Sequence, residues 1–92
     1  MRIILLEDSL ELAQLMVDTL EMDGHTVLTG TNGEEGLHLL EQNPNTELLI
    51  TDVWMPKMNG LELLLHIRQQ PRWNTLRCVV VSGSSSDRVT AN

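Results

Sequence analysis

Short apolar runs at 3–6, 48–51 and 78–81, with a half-polar one at 25–29, recur along this chain and are separated by stretches whose apolar residues fall at helical spacing. Runs of four or five residues suit strands rather than helices. Strands alternating with helices are the sequence form of a parallel sheet built from βαβ units. The expected fold is therefore α/β. At 92 residues, with no internal repeat or low-complexity tract, the chain reads as one domain spanning 1–92.

The helical stretches carry their own start and stop signals. Ser9 can cap a first helix that turns Leu12, Leu15, Met16 and Leu20 inward and stops at Gly24. Thr31 and Glu34 form a capping-box pattern for a second helix, with Leu37 and Leu40 inward and Pro44 beyond its end. Asn59 caps a third, whose Leu61, Leu64, Leu65 and Ile67 face inward and whose exit is marked by Pro71. Ser84 and Asp87 repeat the box for a fourth, which has only about two turns before Asn92. The run at 25–29 has the composition of a sheet edge. The run at 78–81 is apolar on both faces, as a covered central strand would be.

Charge and cysteine usage narrow the function. Thirteen acidic against six basic residues give a net charge of −7, which opposes binding to nucleic acid and to anionic membranes. The first apolar run is only four residues long, too short for a signal peptide or a membrane span. Cys78, beside Val79–Val81, reads as a small buried hydrophobe in a protein of the reducing cytoplasm.

The chemistry lies in three acids. Glu7 and Asp8 directly follow the first apolar run, and Asp52 follows the third. If both runs are parallel strands of one sheet, their carboxylates meet at the carboxyl edge, where open α/β sheets bind ligands. Like charges raise the cost of ionising one another, and a hard divalent cation relieves the conflict. Oxygen donors forming an incomplete shell suit Mg²⁺, with Mn²⁺ as a substitute, and Mg²⁺ in such a shell accepts phosphate oxygens. Glu7 and Asp8 would otherwise read as helix-capping acids, and Asp52 as a cap before Pro56. Their joint placement, with Ser82 after another apolar run, favours a site. His25, His38 and His66 lack ligand spacing, and Met16, Met22, Met55 and Met58 read as packing residues. Arg68, Arg72 and Arg77 around Trp73 read as a solvated loop.

Taken together, Glu7-Asp8, the stretch Asp52-Val53-Trp54-Met55-Pro56-Lys57-Met58-Asn59-Gly60 and Val81-Ser82-Gly83 resemble the receiver domain of bacterial two-component response regulators. The resemblance runs over essentially the whole chain. It implies a flavodoxin-like, doubly wound parallel sheet with strand order 2-1-3-4, without the usual fifth strand and helix. It implies that Asp52 accepts a phosphoryl group from a sensor histidine kinase or phosphotransfer protein. Asp8 and Asp52 would hold Mg²⁺ directly, Glu7 would act through a bound water, and the backbone carbonyl of Trp54 would add a ligand. Ser82 would donate its hydroxyl to a phosphoryl oxygen and move as the switch. Met55, Pro56 and Gly60 would shape the loop, Pro56 by fixing the backbone and Gly60 by admitting a close approach. Trp54 reads either as a lid over the pocket or as a surface aromatic for a partner. Such a domain is a signalling module rather than an enzyme, its chemistry confined to its own phosphorylation and dephosphorylation.

The departures from the family pattern carry expectations too. A complete receiver has a pocket lysine and a switch aromatic on its fifth strand. Here Lys57 is the only lysine, there is no Phe or Tyr, and Lys57 matches a solvent-facing position of the loop. Loss of a preorganised charge of that kind costs on the order of 3 kcal/mol, so phosphorylation is expected to be slow or uncoupled. Strand four would be left as an apolar edge, and a homo-oligomer formed through it is expected. A second function therefore stays open, a pseudo-receiver acting as an interaction or dimerisation module. A magnesium-dependent phosphatase is disfavoured, because Trp54 stands where a second acid would be wanted.

Overall fold

The computed structural model describes residues 1–81; Ser82 and the expected fourth helix opened by Ser84 and Asp87 lie outside them. Strands β1 (Arg2–Leu6), β2 (Thr26–Gly30), β3 (Leu48–Asp52) and β4 (Arg77–Val81) form one sheet in the order β2-β1-β3-β4, with every neighbouring pair parallel. They are joined by α1 (Leu10–Met22), α2 (Gly33–Gln42) and α3 (Gly60–Arg68), and a 3-10 turn at Pro71–Trp73 leads into β4. The chain steps outward from β1 to β2, then returns past β1 to β3. Because parallel crossovers are right-handed, that reversal puts α1 on one face and α2 and α3 on the other. The result is the doubly wound, flavodoxin-like sheet with order 2-1-3-4 that the sequence implied.

Strand alternation then divides the core. Ile4, Leu6 and Leu49 pack with Leu40 of α2, Leu63 and Ile67 of α3, and Met55, Trp73 and Leu76. Ile3 and Leu5, the alternate residues of β1, are equally buried and point to the face that bears α1. Arg72 closes one rim of the main core, pairing with Glu41 at 3.2 Å and stacking 4.2 Å from the buried Trp73 ring. Arg68 donates to the carbonyls of Trp73 and Leu76 at 3.3 and 3.0 Å. Arg68, Arg72 and Arg77 are all exposed, as expected of a solvated loop, with Arg68 bonded to the α3–β4 connection and Arg72 to Glu41 of α2.

Several local expectations shift. In α3, Leu63 and Ile67 are fully buried, whereas Leu61 and Leu65 are 54% and 66% exposed and Leu64 is half-buried. The run Leu61-Glu62-Leu63-Leu64-Leu65 allows more than one helical phase, and contact between Gly60 and β3 selects this one. In α2 the cap is Asn32, one residue later than expected, and its Oδ1 accepts the Glu35 N–H at 2.9 Å. Glu35, not Glu34, completes the start, its Oε1 accepting from both the N–H and the hydroxyl of Thr31 at 2.6 Å. Ser9 caps α1 as expected, accepting the Leu12 N–H at 3.3 Å, but Leu15 is 64% exposed and only Ala13 of that helix is buried. Leu12, Met16 and Leu20 are half-buried. β4 lies at the edge of the described sheet rather than in a covered position, and Val79 is exposed on it.

Candidate metal centre at the carboxyl edge

Parallel register sets the first distance in the site. Leu6 of β1 lies beside Thr51 of β3, so Glu7 emerges from the sheet next to Asp52. The Glu7 N–H donates to the Gly30 carbonyl at 3.0 Å, holding the chain to β2 for one residue beyond the strand. Ser9 then begins α1, and its N–H donates to Glu7 Oε2 at 2.9 Å. Asp8 is left on the rim between strand and helix. One oxygen from each of Glu7, Asp8 and Asp52 lies within 4.8 Å of the others. Among the described residues this is the one group of three or more potential metal ligands.

Burial separates the roles of the three acids. Glu7 and Asp52 are 2% and 0% exposed, and Asp8 is open to solvent. Burial pushes the Glu7 carboxyl up from 4.5 to about 7, and the hydrogen bond with Asp8 and the negative charges of Asp52 and Asp8 push the same way. The Ser9 N–H bond opposes them without prevailing. Burial beside two other acids disfavours the charged form of Glu7, a condition that a bound cation relieves. The donor set fits magnesium: all oxygen, with one member exposed to water.

The loop after β3 is built around Asp52. Its Oδ1 accepts the Trp54 N–H at 3.3 Å, and its carbonyl accepts the Thr51 hydroxyl at 3.0 Å. A side chain at Gly60 would overlap that same carbonyl, so the start of α3 sits directly on the end of β3 only because residue 60 is glycine. The Gly60 N–H also closes the loop onto the Val53 carbonyl at 3.1 Å, and Val53 donates to Val81 of β4 at 2.9 Å. Met55 is buried beneath the loop, with its sulfur 3.8 Å from the Thr51 hydroxyl. Asn59 and Glu62 form a reciprocal capping box at 2.9 and 3.1 Å.

The structure therefore brings Glu7, Asp8 and Asp52 together, with Trp54, Met55 and Pro56 in the adjoining loop and Gly60 at the start of α3. Trp54 and Pro56 are exposed there. Lys57 is exposed and adopts a left-handed φ of 64°. Glu35 of α2 is held below the usual carboxylate range by its bonds to Thr31 and also by the charge of Lys57. His25, His38 and His66 lie apart, before β2, on α2 and on α3. Gly33, which the sequence did not single out, touches the site's loop: its N–H donates to the Met58 carbonyl at 2.9 Å. The one sequence signal for it was its position directly after a residue able to cap a helix.

Comparison with known proteins gives a consistent result. The family model described as the response regulator receiver domain matches residues 3–92. The transcriptional regulatory protein CpxR of Klebsiella pneumoniae is 38% identical over 88 residues, covering 96% of this chain and 37% of that protein. The chain thus spans about 37% of the length of that relative. A chemotaxis protein CheY homologue of Campylobacter jejuni is 33% identical over 94 residues, 99% of this chain and 72% of the homologue. The signal receiver domain of a signal transduction histidine kinase from Syntrophus aciditrophicus superposes with a TM-score of 0.83 at 30% identity, over 87% of this chain and 60% of that one.

Proposed function

Because this chain belongs to the response regulator receiver domain family, the phosphoacceptor signalling domains of two-component systems, we propose that Asp52 is the residue that takes the phosphoryl group. The observation that carries this reading is a fully buried carboxylate at the sheet edge with Glu7 and Asp8 oxygens within 4.8 Å. The donor is a phosphohistidine on a sensor histidine kinase or phosphotransfer protein. An Asp52 oxygen forms the new O–P bond as the N–P bond breaks, and the electron pair stays on the imidazole nitrogen. Trp54 orients the acceptor through its N–H on Oδ1. Asp8 and Asp52 are the direct ligands for Mg²⁺, with Glu7 through water and the Trp54 carbonyl beside them. When bound, that ion neutralises charge on the transferring phosphoryl oxygens. Ser82 donates its hydroxyl to one of those oxygens and couples the new charge to the surface that partners read.

In this reading the chain is a switch, not an enzyme acting on an external substrate. It works in the cytoplasm, which its single half-buried cysteine suits. No helix of the described residues is long and apolar enough to cross a membrane. The exposed Val79 on the edge strand of the described sheet supports a further element, pairing of β4 with a second copy. Light scattering that finds monomer at high concentration removes that element alone.

Acetyl phosphate with Mg²⁺, followed by intact-mass measurement, tests the central claim. One phosphoryl adduct, lost in Asp52→Ala, is the expected result. Labelling that survives Asp52→Ala, or calorimetric magnesium uptake that survives Asp8→Ala, overturns it.

A further inference from the structure

The loop at 53–59 has a second anchor besides β3 and α3, and it comes from α2. The Gly33 N–H donates to the Met58 carbonyl at 2.9 Å, across from the first residue of α2 to the penultimate residue of the loop. Gly33 is buried, and a Cβ there would lie 2.7 Å from both Met58 Cγ and the Met58 carbonyl oxygen. Only glycine permits that approach. The buried Asn32 fixes Gly33 in turn by capping α2 through Glu35. Lys57, next to Met58, holds a left-handed φ of 64°, which a residue with a side chain keeps only where its surroundings over-determine it. Its charge acts on Glu35, in the same first turn of α2. Hydrogen bond, close packing and charge thus all join the start of α2 to the far half of the loop.

We infer that Gly33 is a positioning residue for the metal centre: its N–H and its lack of a side chain let α2 hold the loop in the shape that presents Asp52 and the Trp54 carbonyl. This rests on the magnesium reading above and extends it to a residue that touches no ligand. Outer residues that orient metal ligands commonly govern affinity by about 10- to 100-fold when altered. Coupling is also reciprocal, so a brace that favours cation binding is itself strengthened when the cation binds.

Magnesium titration calorimetry on wild type, Gly33→Ala and Gly36→Ala tests this, alongside hydrogen exchange of the wild-type Gly33 amide with and without Mg²⁺. A Cβ at Gly36 meets Leu6 and Leu63 in the core instead of the loop, so Gly36→Ala reports what general destabilisation does to binding. The expected results are an affinity about tenfold weaker in Gly33→Ala, unchanged affinity in Gly36→Ala, and slower Gly33 exchange in Mg²⁺. Wild-type affinity in Gly33→Ala, an equal loss in Gly36→Ala, or Gly33 exchange indifferent to saturating Mg²⁺ overturns the inference while leaving the site reading intact. Absence of uptake by wild type overturns both. Should Gly33→Ala fail to fold, the wild-type exchange measurement decides alone.

Discussion

On the face bearing α2 and α3, Leu40, Leu63 and Ile67 close over Ile4, Leu6 and Leu49, whereas α1 on the opposite face buries only Ala13 and leaves Leu10, Leu15 and Met22 exposed. Both faces rest on the same strands, so the contrast comes from what covers them. The site's loop is rooted in the closely packed face: Met55 belongs to its core and Met58 packs against it. The loop that follows Asp52 is thereby backed by α2 and α3, while Glu7 and Asp8 lie where β1 passes into α1.

The largest effect should come from removing a side chain at the centre of the packed face. Leu63 is fully buried between β1 and α2, so Leu63→Ala is expected to destabilise by about 2–5 kcal/mol, the usual range for a buried leucine. Urea denaturation measures it. A cost no larger than that of an α1 leucine would erase the distinction between the faces.

Next in size is the strain at the sheet edge, which pH reveals. The folded state raises the Glu7 carboxyl from 4.5 to about 7, so it binds that proton more tightly than the unfolded chain does. The contribution of this group is therefore full below about pH 4.5 and declines as pH rises to about 7. At roughly 1.4 kcal/mol per unit, the loss is about 3 kcal/mol. Glu7→Gln should then be more stable than wild type at pH 8, and the advantage should vanish near pH 4. Saturating Mg²⁺ should narrow the gap at pH 8 by stabilising wild type. Parallel pH profiles for the two proteins would show that the edge is not strained.

These effects fall on features that differed in how plainly the sequence displayed them. The three acids were legible because each follows a short apolar run, and parallel register brings the ends of β1 and β3 level. Gly60 was legible as a close approach because it follows the loop and opens a helix. The rotation of α3 was not, since four leucines in five residues satisfy several phases and only contact between Gly60 and Asp52 chooses Leu63. The choice of Asn32 over Thr31 as the cap of α2 is not local, since both adjacent residues are competent caps and Gly33 must meet Met58. That contact joins segments 25 positions apart, 33 to 58, and no local pattern records it.

The helix caps sharpen the comparison at smaller scale. Asn59 opens α3 with a reciprocal box at 2.9 and 3.1 Å, whereas Ser9 opens α1 with a single 3.3 Å bond. Asn59→Ala is expected to lower stability by about 1 kcal/mol, and Ser9→Ala by about half that. Thermal unfolding by circular dichroism ranks them. The reverse order would mean that α1 is held more firmly at its start than α3.

The smallest effect belongs to Leu15, and its smallness is what makes it informative. Its side chain stands outward on α1, 64% exposed, while Leu12, Met16 and Leu20 supply the half-buried stripe on the sheet. Glutamine at that position keeps a helix propensity close to that of leucine, so Leu15→Gln removes apolar surface without weakening the helix itself. The expected change is within about 0.5 kcal/mol, as for surface positions generally. If the substitution instead costs more than about 1 kcal/mol, a size that surface positions seldom show, Leu15 is covered in solution by something other than water. Repeating the unfolding at several protein concentrations identifies the cover: a midpoint that rises with concentration for wild type but not for Leu15→Gln makes it a second copy seated on α1. The open face would then be an interface, and the asymmetry between the two faces would belong to the monomer alone.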